Sequence, residues 1–302
     1  SVIRRVVTEG KTMAEMEDPV ALIGENGTGK SFFAQCIHNG SPRAKKPYIV
    51  INAGTIAQQD AARVLFGSDD GAKPRMGLFE LAGGGTIALQ GLGDASEAFF
   101  SCLRQVLLQH SYFAVGGVTT IPFSARLLAL VTPEERRRIP RDLWDQLSVF
   151  SLNLPLLKDR QEDVSTLFRF FLLRESILMP PRTQKELEEI LSFYSWPANL
   201  ISLSAVSKRY ILLYQQAMNP SPSAKQQILI RAIGEDELLS DIYRQYPALT
   251  DAANSPPEEV LAGVAAMKRI LKYNNSVIAD KLGLGRTTLW RIQKKAGVSD
   301  AG

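Results

Sequence analysis

The sequence predicts an α/β protein built on a buried parallel sheet and followed by purely helical segments. Three observations support this prediction. Short apolar runs alternate with helical stretches over about the first 155 residues, which is typical of helices packed on both faces of a parallel sheet. A glycine-rich loop with the spacing G-x-x-x-x-G-K-S follows the first apolar run. Beyond about residue 160 the strand-like runs stop, and helical patterns continue.

Each predicted element follows from this alternation. The expected strands are 20–24, 48–53, 86–89, 112–115 and 125–131. The expected helices between them are 30–38, 56–65 and 94–109. Further helices are expected at 162–178, 184–194 and 200–217, with one more at 240–246. Proline-rich stretches at 219–223 and 254–257 indicate linkers, and a compact helical unit follows to the end of the chain.

The glycine-rich loop predicts a site for a nucleoside triphosphate. It consists of Gly24, Glu25, Asn26, Gly27, Thr28, Gly29, Lys30 and Ser31. The glycines let backbone N–H groups approach phosphate oxygens, and the start of the next helix directs its positive end at the same oxygens. Lys30 adds a full charge near the β- and γ-phosphates, and the Ser31 hydroxyl is a suitable Mg²⁺ ligand. We therefore expect ATP or ADP, with Mg²⁺, as cofactors.

Charge and composition restrict the remaining classes. The net charge is +4, with two histidines and two cysteines in 302 residues, so neither a metal framework nor a disulfide framework is indicated. No apolar run reaches membrane-spanning length and no signal peptide is evident, which leads us to expect a cytoplasmic protein without membrane contact. The basic excess is local, because residues 268–295 carry eight lysines and arginines against one acid, Asp280.

The C-terminal unit has helix-turn-helix spacing. Helices at 264–272, 276–282 and 286–295 flank a turn at Gly283, and the third helix is basic. We predict that it enters the major groove of double-stranded DNA. The candidate DNA-contacting residues are Arg286, Thr287, Thr288, Arg291, Lys294 and Lys295. Leu289 and Ile292 are expected to pack inward. Trp290 is open to two interpretations, a core anchor, which we favour, and a surface contact.

Several motifs, in order, resemble one family. The loop resembles GESGTGK, residues 37–43 resemble IHxxSxR, residues 142–147 resemble DLYYRL, residues 154–160 resemble LPPLRER and residues 196–200 resemble the start of WPGNVREL. Residues 282–291 resemble the Fis-type motif. The chain is thus similar to the sigma-54-dependent transcription activators, also called bacterial enhancer-binding proteins. These combine an AAA+ P-loop NTPase domain and its helical lid with a Fis-type helix-turn-helix domain.

The resemblance implies a domain plan and partners. Residues 1–160 correspond to the α/β nucleotide-binding subdomain, 161–235 to the lid, 236–257 to a linker and 258–302 to the DNA-binding domain. It also implies self-association through the AAA+ domain, and contact with RNA polymerase or with a related activator.

Departures from the family pattern concern both sigma-54 contact and hydrolysis. The GAFTGA loop is replaced by a shorter segment, 68–76, in which Gly71 and Ala72 are retained and the aromatic tip is absent. The acidic pair that ends the family's third strand becomes Gln90 and Gly91. Asp94 is the nearby carboxylate that could compensate.

The arginines that act on the nucleotide in the family are replaced as well. The two finger arginines fall at Pro140 and Gln146, and the lid arginine falls at Ile201. Residues 136–138 and Arg141 are arginines that could substitute, or could form a solvated basic surface. Thr132 occupies the position of a polar sensor, where the family has Asn.

These changes predict a DNA-binding transcription regulator that binds ATP, hydrolyses it poorly and does not remodel sigma-54 polymerase. We therefore assign no catalytic residue. Two alternatives remain. The chain could be an active ATPase activator that uses substitute residues, or a non-hydrolysing subunit that modulates an active relative.

Overall fold

The computed structural model describes residues 2–69, 74–218 and 220–295. The chain divides into two compact units, residues 1–160 and 161–302. Over the described ranges, no helix has the length and apolar character needed to cross a bilayer. Our expectations for Gly71, Ala72 and Asn219 concern positions outside the described residues.

The strands are β1 (Val20–Ile23), β2 (Tyr48–Asn52), β3 (Gly67–Ser68), β4 (Arg75–Met76), β5 (Thr86–Gln90), β6 (Ser111–Phe113), β7 (Thr120–Pro122), β8 (Arg126–Val131) and β9 (Phe150–Asn153). The α-helices of the first unit are α1 (Val2–Ala14), α2 (Lys30–Asn39), α3 (Ala61–Phe66), α4 (Leu78–Ala82), α5 (Glu97–Gln109), α6 (Pro133–Arg138) and α7 (Arg141–Leu147). Those of the second are α8 (Gln161–Arg174), α9 (Pro181–Phe193), α10 (Leu200–Gln216), α11 (Pro222–Ile233), α12 (Glu235–Gln245), α13 (Pro257–Ala266), α14 (Asn275–Lys281) and α15 (Arg286–Lys295). Segments Ala53–Thr55, Gln58–Asp60, Leu92–Asp94, Leu157–Asp159 and Pro247–Asp251 are 3-10 helices, and Met267–Leu271 is a π-helical turn.

The main sheet of the first unit is parallel, and within the described ranges its strand order is β2-β5-β8-β1-β9. All six residues of β8 are buried, as expected for a central strand covered on both faces. Alternate residues of β1 pack on opposite faces, since Val20 and Leu22 belong to one apolar cluster and Ala21 to the other. The result is a three-layer α/β arrangement, which agrees with the predicted fold class.

Two strand predictions need correction. Residues 112–115 do not join the main sheet. Instead β6 pairs with β7 in a separate antiparallel hairpin, because the chain turns back at Gly116, whose φ is 83°. The remaining strand of the parallel sheet is β9, which we did not predict. It lies at the sheet edge, where only one of its four residues, Leu152, is fully buried, so its apolar signal is weak.

Helix α1 was also not predicted from the sequence. It packs on the sheet face that carries α2, where Val6 and Ala14 are buried. The buried Arg126 at the start of β8 donates to the backbone oxygens of Ala14 and Met13, at 3.3 and 2.6 Å, and to that of Asp18 at 3.0 Å. The guanidinium thus caps the last carbonyls of α1, where the Met16 amide also donates to the Met13 oxygen at 3.2 Å.

The second unit is helical throughout its described ranges, which agrees with the predicted lid and C-terminal unit. Residues 236–257, for which we expected a linker, are folded. Helix α12 buries Leu238 and Ile242, and the following 3-10 segment buries Leu249. The apolar side of α12 packs into the unit because its leucines and isoleucine recur at helical spacing. The domain boundaries inside this unit stay a prediction.

Candidate functional site

The glycine-rich loop lies between β1 and α2, at the carboxyl edge of the parallel sheet. The Gly24 amide donates to the Val131 oxygen at 3.1 Å, which anchors the loop to β8. Gly27 and Gly29 have φ values of 78° and 104°, a region that residues with a Cβ rarely adopt. Gly29 caps α2 without any side-chain acceptor, so the first amides of this helix are not satisfied by a capping side chain.

Lys30 folds back into this loop. Its Nζ donates to the Gly24 oxygen at 2.7 Å and to the Glu25 oxygen at 3.2 Å. Burial lowers the pKa of Lys30, while the charges of Glu135 and Glu25 oppose that shift. The ammonium and the amides at the start of α2 are therefore placed at the same loop, which has the donor chemistry required by a polyphosphate.

Thr28 links the loop to its surroundings by hydrogen bonds. This residue is buried, and its hydroxyl donates to the Glu25 oxygen at 2.8 Å. A buried guanidinium, that of Arg160, donates to the Thr28 oxygen at 2.9 Å. A Cβ at Gly24 would lie 2.8 Å from the Thr28 hydroxyl, so glycine is required there by packing. Sequence reasoning assigned no role to Arg160, because its partner lies 132 positions away.

Gln90 lies next to the loop, as its strand position predicts. Its Nε2 donates to the Ser31 Oγ at 3.0 Å. A neutral amide therefore stands beside the hydroxyl that is the candidate metal ligand. Among the described residues, no group of three or more His, Cys, Asp or Glu side chains is placed to hold a metal ion. The site offers Mg²⁺ a hydroxyl but no adjacent negative charge from this strand.

Gly91 directly follows Gln90 in left-handed backbone, with a φ of 63°. A Cβ at this position would lie 2.4 Å from the Oδ1 of Asn52. Asn52 therefore occupies the space in which a side chain at position 91 would begin. Asp94, the compensating carboxylate that we considered, instead pairs with Arg138 at 2.6 Å and is largely exposed.

Glu135 is an acidic residue at the site that the sequence analysis missed. Its Oε2 accepts from the Thr132 amide at 2.7 Å, and the Glu135 amide donates to the Thr132 hydroxyl at 3.1 Å. This capping box begins α6 directly after β8. The carboxylate lies close enough to Lys30 to act on its pKa. The spacing Thr-x-x-Glu at a strand end was the available signal.

The arginine run lies on α6. The Arg136 guanidinium is 5.1 Å from the centre of the Trp144 ring, and Arg138 pairs with Asp94. A cavity of about 340 Å³ adjoins this helix at the ends of β1 and β9. Its lining consists of Ile23, Pro133, Arg136, Arg137 and Asn153. At the positions where the family has arginines, Pro140 and Gln146 are partly buried, and Ile201 on α10 is exposed.

The segment in place of the family's sigma-54 loop is a short two-stranded ribbon. Gly67 pairs with Met76, and Ser68 pairs with Arg75. Four positions between these strands, 70–73, lie outside the described residues. The pairing leaves only six residues to connect β3 and β4, which is too short for the family's longer loop.

The C-terminal helices form the predicted helix-turn-helix. Asn274 caps α14 by accepting from the Val277 amide at 3.0 Å, and Gly283 has a φ of 62° at the turn into α15. Leu289 is buried, as predicted, and Gln293 bonds to Asn275 across the two helices at 3.3 Å.

The candidate DNA-contacting residues all lie on α15. Arg286, Thr287, Arg291 and Lys294 are exposed, whereas Thr288 is partly buried. Lys295 ends the helix, and its side chain lies outside the described part of the structure. Trp290 is 52% exposed, so the core position that we favoured for it is wrong.

Comparison with known proteins gives concordant matches. The family described as "Sigma-54 interaction domain" matches residues 1–153. The transcriptional activator HyfR of Escherichia coli is 30% identical over 308 residues, which is 95% of this chain and 45% of HyfR. A Nif-specific regulatory protein of Sinorhizobium fredii is 35% identical over 231 residues, which is 71% of this chain and 38% of that protein. The chain thus spans about half the length, or less, of these relatives.

Solved structures support the fold. NtrX from Brucella abortus, in a structure in complex with ADP, has a TM-score of 0.68 at 23% identity, covering 98% of this chain and 68% of that one. Together with the sheet order, this similarity confirms the AAA+ class with its helical C-terminal region. Because the family match extends from the first residue to the end of β9, the chain belongs to the sigma-54 interaction domain family of bacterial transcription regulators.

Proposed function

We propose that this chain is a DNA-binding transcription regulator whose AAA+ domain binds ATP or ADP and hydrolyses ATP slowly. The observation that carries the proposal is the contact of Gln90 with Ser31, beside a Gly91 that has no side chain. The phosphate-binding loop is kept, while both positions that hold acids in the family are neutral. The relative NtrX, of the same fold, is described in complex with ADP and with ATP.

Different residues of this chain would bind the phosphates and the metal ion. Lys30 and the first amides of α2 would hold the β- and γ-phosphates, since the helix N-terminus and the ammonium meet at the loop. When bound, Mg²⁺ would supply charge to the phosphates, with the Ser31 hydroxyl as its ligand from this loop. Gln90 adds no charge to that site, so we propose weakened Mg²⁺ binding.

Two groups that accelerate ATP hydrolysis in the family are missing from this chain. General-base assistance contributes about 10²–10⁴ in rate, and Gly91 cannot provide it. Arginine fingers contribute about 10³–10⁵, and Pro140 and Gln146 stand at the family's finger positions. Nucleotide would therefore act as an assembly or structural ligand. Its expected effect is on self-association of the AAA+ domain.

Nucleotide binding and phosphate release, measured on one preparation, test this proposal. We expect saturable binding of ATP and ADP, loss of binding in Lys30→Ala, and turnover far below that of an active relative assayed in parallel. Lys11→Ala, which removes an exposed ammonium at the end of α1, is the matched control and should bind normally. Rapid turnover that Lys30→Ala abolishes would refute slow hydrolysis, and absence of binding would refute the nucleotide site.

Glu135 favours the second candidate, an active ATPase that uses a substitute residue. Its carboxylate acts on Lys30 and stands at the end of β8. Against this role, the backbone amide of Thr132 occupies one of its oxygens. Glu135→Gln keeps the size and the capping acceptor while removing the charge. If residual turnover fell about 10²-fold or more in this variant with nucleotide affinity maintained, Glu135 would be the base.

The short ribbon also supports a proposal about partners. A loop of six residues between β3 and β4 does not present the family's aromatic tip, so we propose that the chain does not remodel sigma-54 polymerase. RNA polymerase or a related activator remains the proposed protein partner. Reconstituted sigma-54 transcription with this chain and ATP should show no stimulation. Stimulation that requires Lys30 would contradict this proposal.

A further inference from the structure

One side of α15 is exposed and basic. At about 100° per residue, five exposed side chains fall within an arc of about 140°. They are Arg286, Thr287, Trp290, Arg291 and Lys294. Leu289 and Gln293, which are buried, fall outside this arc, about 60° and 20° beyond its Arg286 edge. Trp290 is therefore near the middle of the surface that the basic residues define, rather than at its margin.

The exposure of Trp290 sets it apart from the other tryptophans of the chain. Trp144 and Trp196 are 9% and 2% exposed, whereas Trp290 is 52% exposed. The Lys294 ammonium lies 5.0 Å from the centre of the indole ring, which restrains the ring on the helix surface. A large aromatic side chain that remains exposed among cations suggests a partner that is both polyanionic and locally apolar.

We propose that Trp290 is a specificity-determining residue that makes an apolar contact with the C5-methyl group of thymine in the major groove. This inference rests on the proposed DNA binding by α15. The thymine methyl is the apolar feature of the major-groove edge, and it lies among acceptors and donors that arginine and threonine can read. The flanking cations favour DNA over a protein partner, because an apolar protein surface offers no compensation for three desolvated charges.

The experiment uses the whole chain and a pool of random-sequence DNA duplexes, from which the wild type selects its tightest sequence. Each thymine of that sequence is then replaced in turn by uracil, which lacks only the methyl group. We expect one replacement to weaken binding by the wild type about 3- to 10-fold, as for loss of one buried methyl contact. Trp290→Ala should bind the parent duplex more weakly by a similar factor and should lose sensitivity to that uracil.

Controls separate this inference from the proposed DNA binding. Val277→Ala, a change at an exposed apolar residue of α14, should keep both the affinity and the uracil effect. If no uracil weakens the wild type, or if Trp290→Ala remains equally sensitive, the inference is wrong while DNA binding stands. If the wild type selects no sequence and binds no duplex, the proposed function itself fails. If Trp290→Ala binds DNA normally but loses a co-purifying protein, Trp290 serves a protein partner and the inference is overturned.

Discussion

At the scale of single residues, the two neutral positions at the end of β5 differ in how readily they could be reversed. Gln90 keeps a side chain directed at Ser31, so an aspartate there would place a carboxylate on a side chain one methylene shorter, without a change of backbone. Gly91 is different, because its backbone is left-handed and Asn52 fills the adjacent space. The local conformation thus disfavours an acidic side chain at position 91.

This geometry predicts that Gly91→Ala destabilises the first unit. Left-handed backbone costs a residue with a Cβ about 1–2 kcal/mol, and contact with the Asn52 Oδ1 adds to that cost. In an Asn52→Ala background the steric part should disappear, so the same substitution should cost less. Urea denaturation of the four proteins of this double-mutant cycle measures the coupling free energy.

Additive effects in this cycle would show that Asn52 does not restrict position 91. Gly83→Ala is a suitable reference, since Gly83 also has a positive φ, 50°, but a Cβ there would meet no atom closer than 3.9 Å. Its cost should reflect backbone conformation alone and should not change when Asn52 is replaced.

At the scale of elements, α12 shows that a segment with linker-like surroundings can be a packed helix. Leu238 and Ile242 are fully buried, and Tyr273, beyond the π-helical turn, donates to Glu235 at the start of α12. Tyr243 on α12 donates to the Lys281 oxygen of α14 at 3.1 Å. These contacts fasten the helix-turn-helix segment to α12 within the second unit.

We therefore expect Leu238→Ala to lower the free energy of unfolding of the second unit by about 2–5 kcal/mol, as for other buried leucines. A flexible linker would not show this loss. Leu212→Ala on α10 is the matched control, because that leucine is 56% exposed and its replacement should change stability by less than about 0.5 kcal/mol. Equal, small effects of both changes, measured by urea denaturation, would argue against a folded α12.

At the scale of the whole molecule, charge is nearly balanced overall but concentrated near the C-terminus. The chain has a net charge of +4, while residues 268–295 alone carry eight basic residues against one acid. Phosphate contacts release counterions, so DNA affinity should fall steeply as salt concentration rises. The proposed DNA binding should therefore depend on the basic residues of 268–295 and not on the net charge of the chain.

This distribution gives a quantitative expectation. Replacing both Arg286 and Arg291 by alanine should weaken DNA binding at every sequence tested. It should also reduce the slope of log affinity against log salt by about one for each phosphate contact removed. Arg5→Ala is the control. It removes one positive charge from an exposed position on α1, as each of the two substitutions does on α15, and it should leave the slope unchanged. A slope that responds equally to Arg5 would place the contacts elsewhere.

Most of the correct predictions came from the spacing of apolar residues and glycines within short stretches of sequence. The alternation of apolar runs predicted the central strands, and the turn at Gly283 together with buried Leu289 fitted the predicted helix-turn-helix. Sequence reasoning failed where the signal was weak or shared between distant segments. The edge strand β9 has little apolar pattern, and 112–115 found a hairpin partner instead of the main sheet.

The sequence by itself determined the α/β class and the glycine-rich loop, because each depends on neighbours within a few positions, and it contains the neutral residues at positions 90 and 91. Only the tertiary structure decided that Gln90 contacts Ser31, that Glu135 acts on Lys30 and that Trp290 faces outward. Two of these depend on pairs separated by 59 and about 105 positions, which are brought together by strand order. The exposure of Trp290 depends on which side of α15 the remaining helices cover. Local periodicity does not decide this, because Trp290 lies between the apolar and the polar face of the helix.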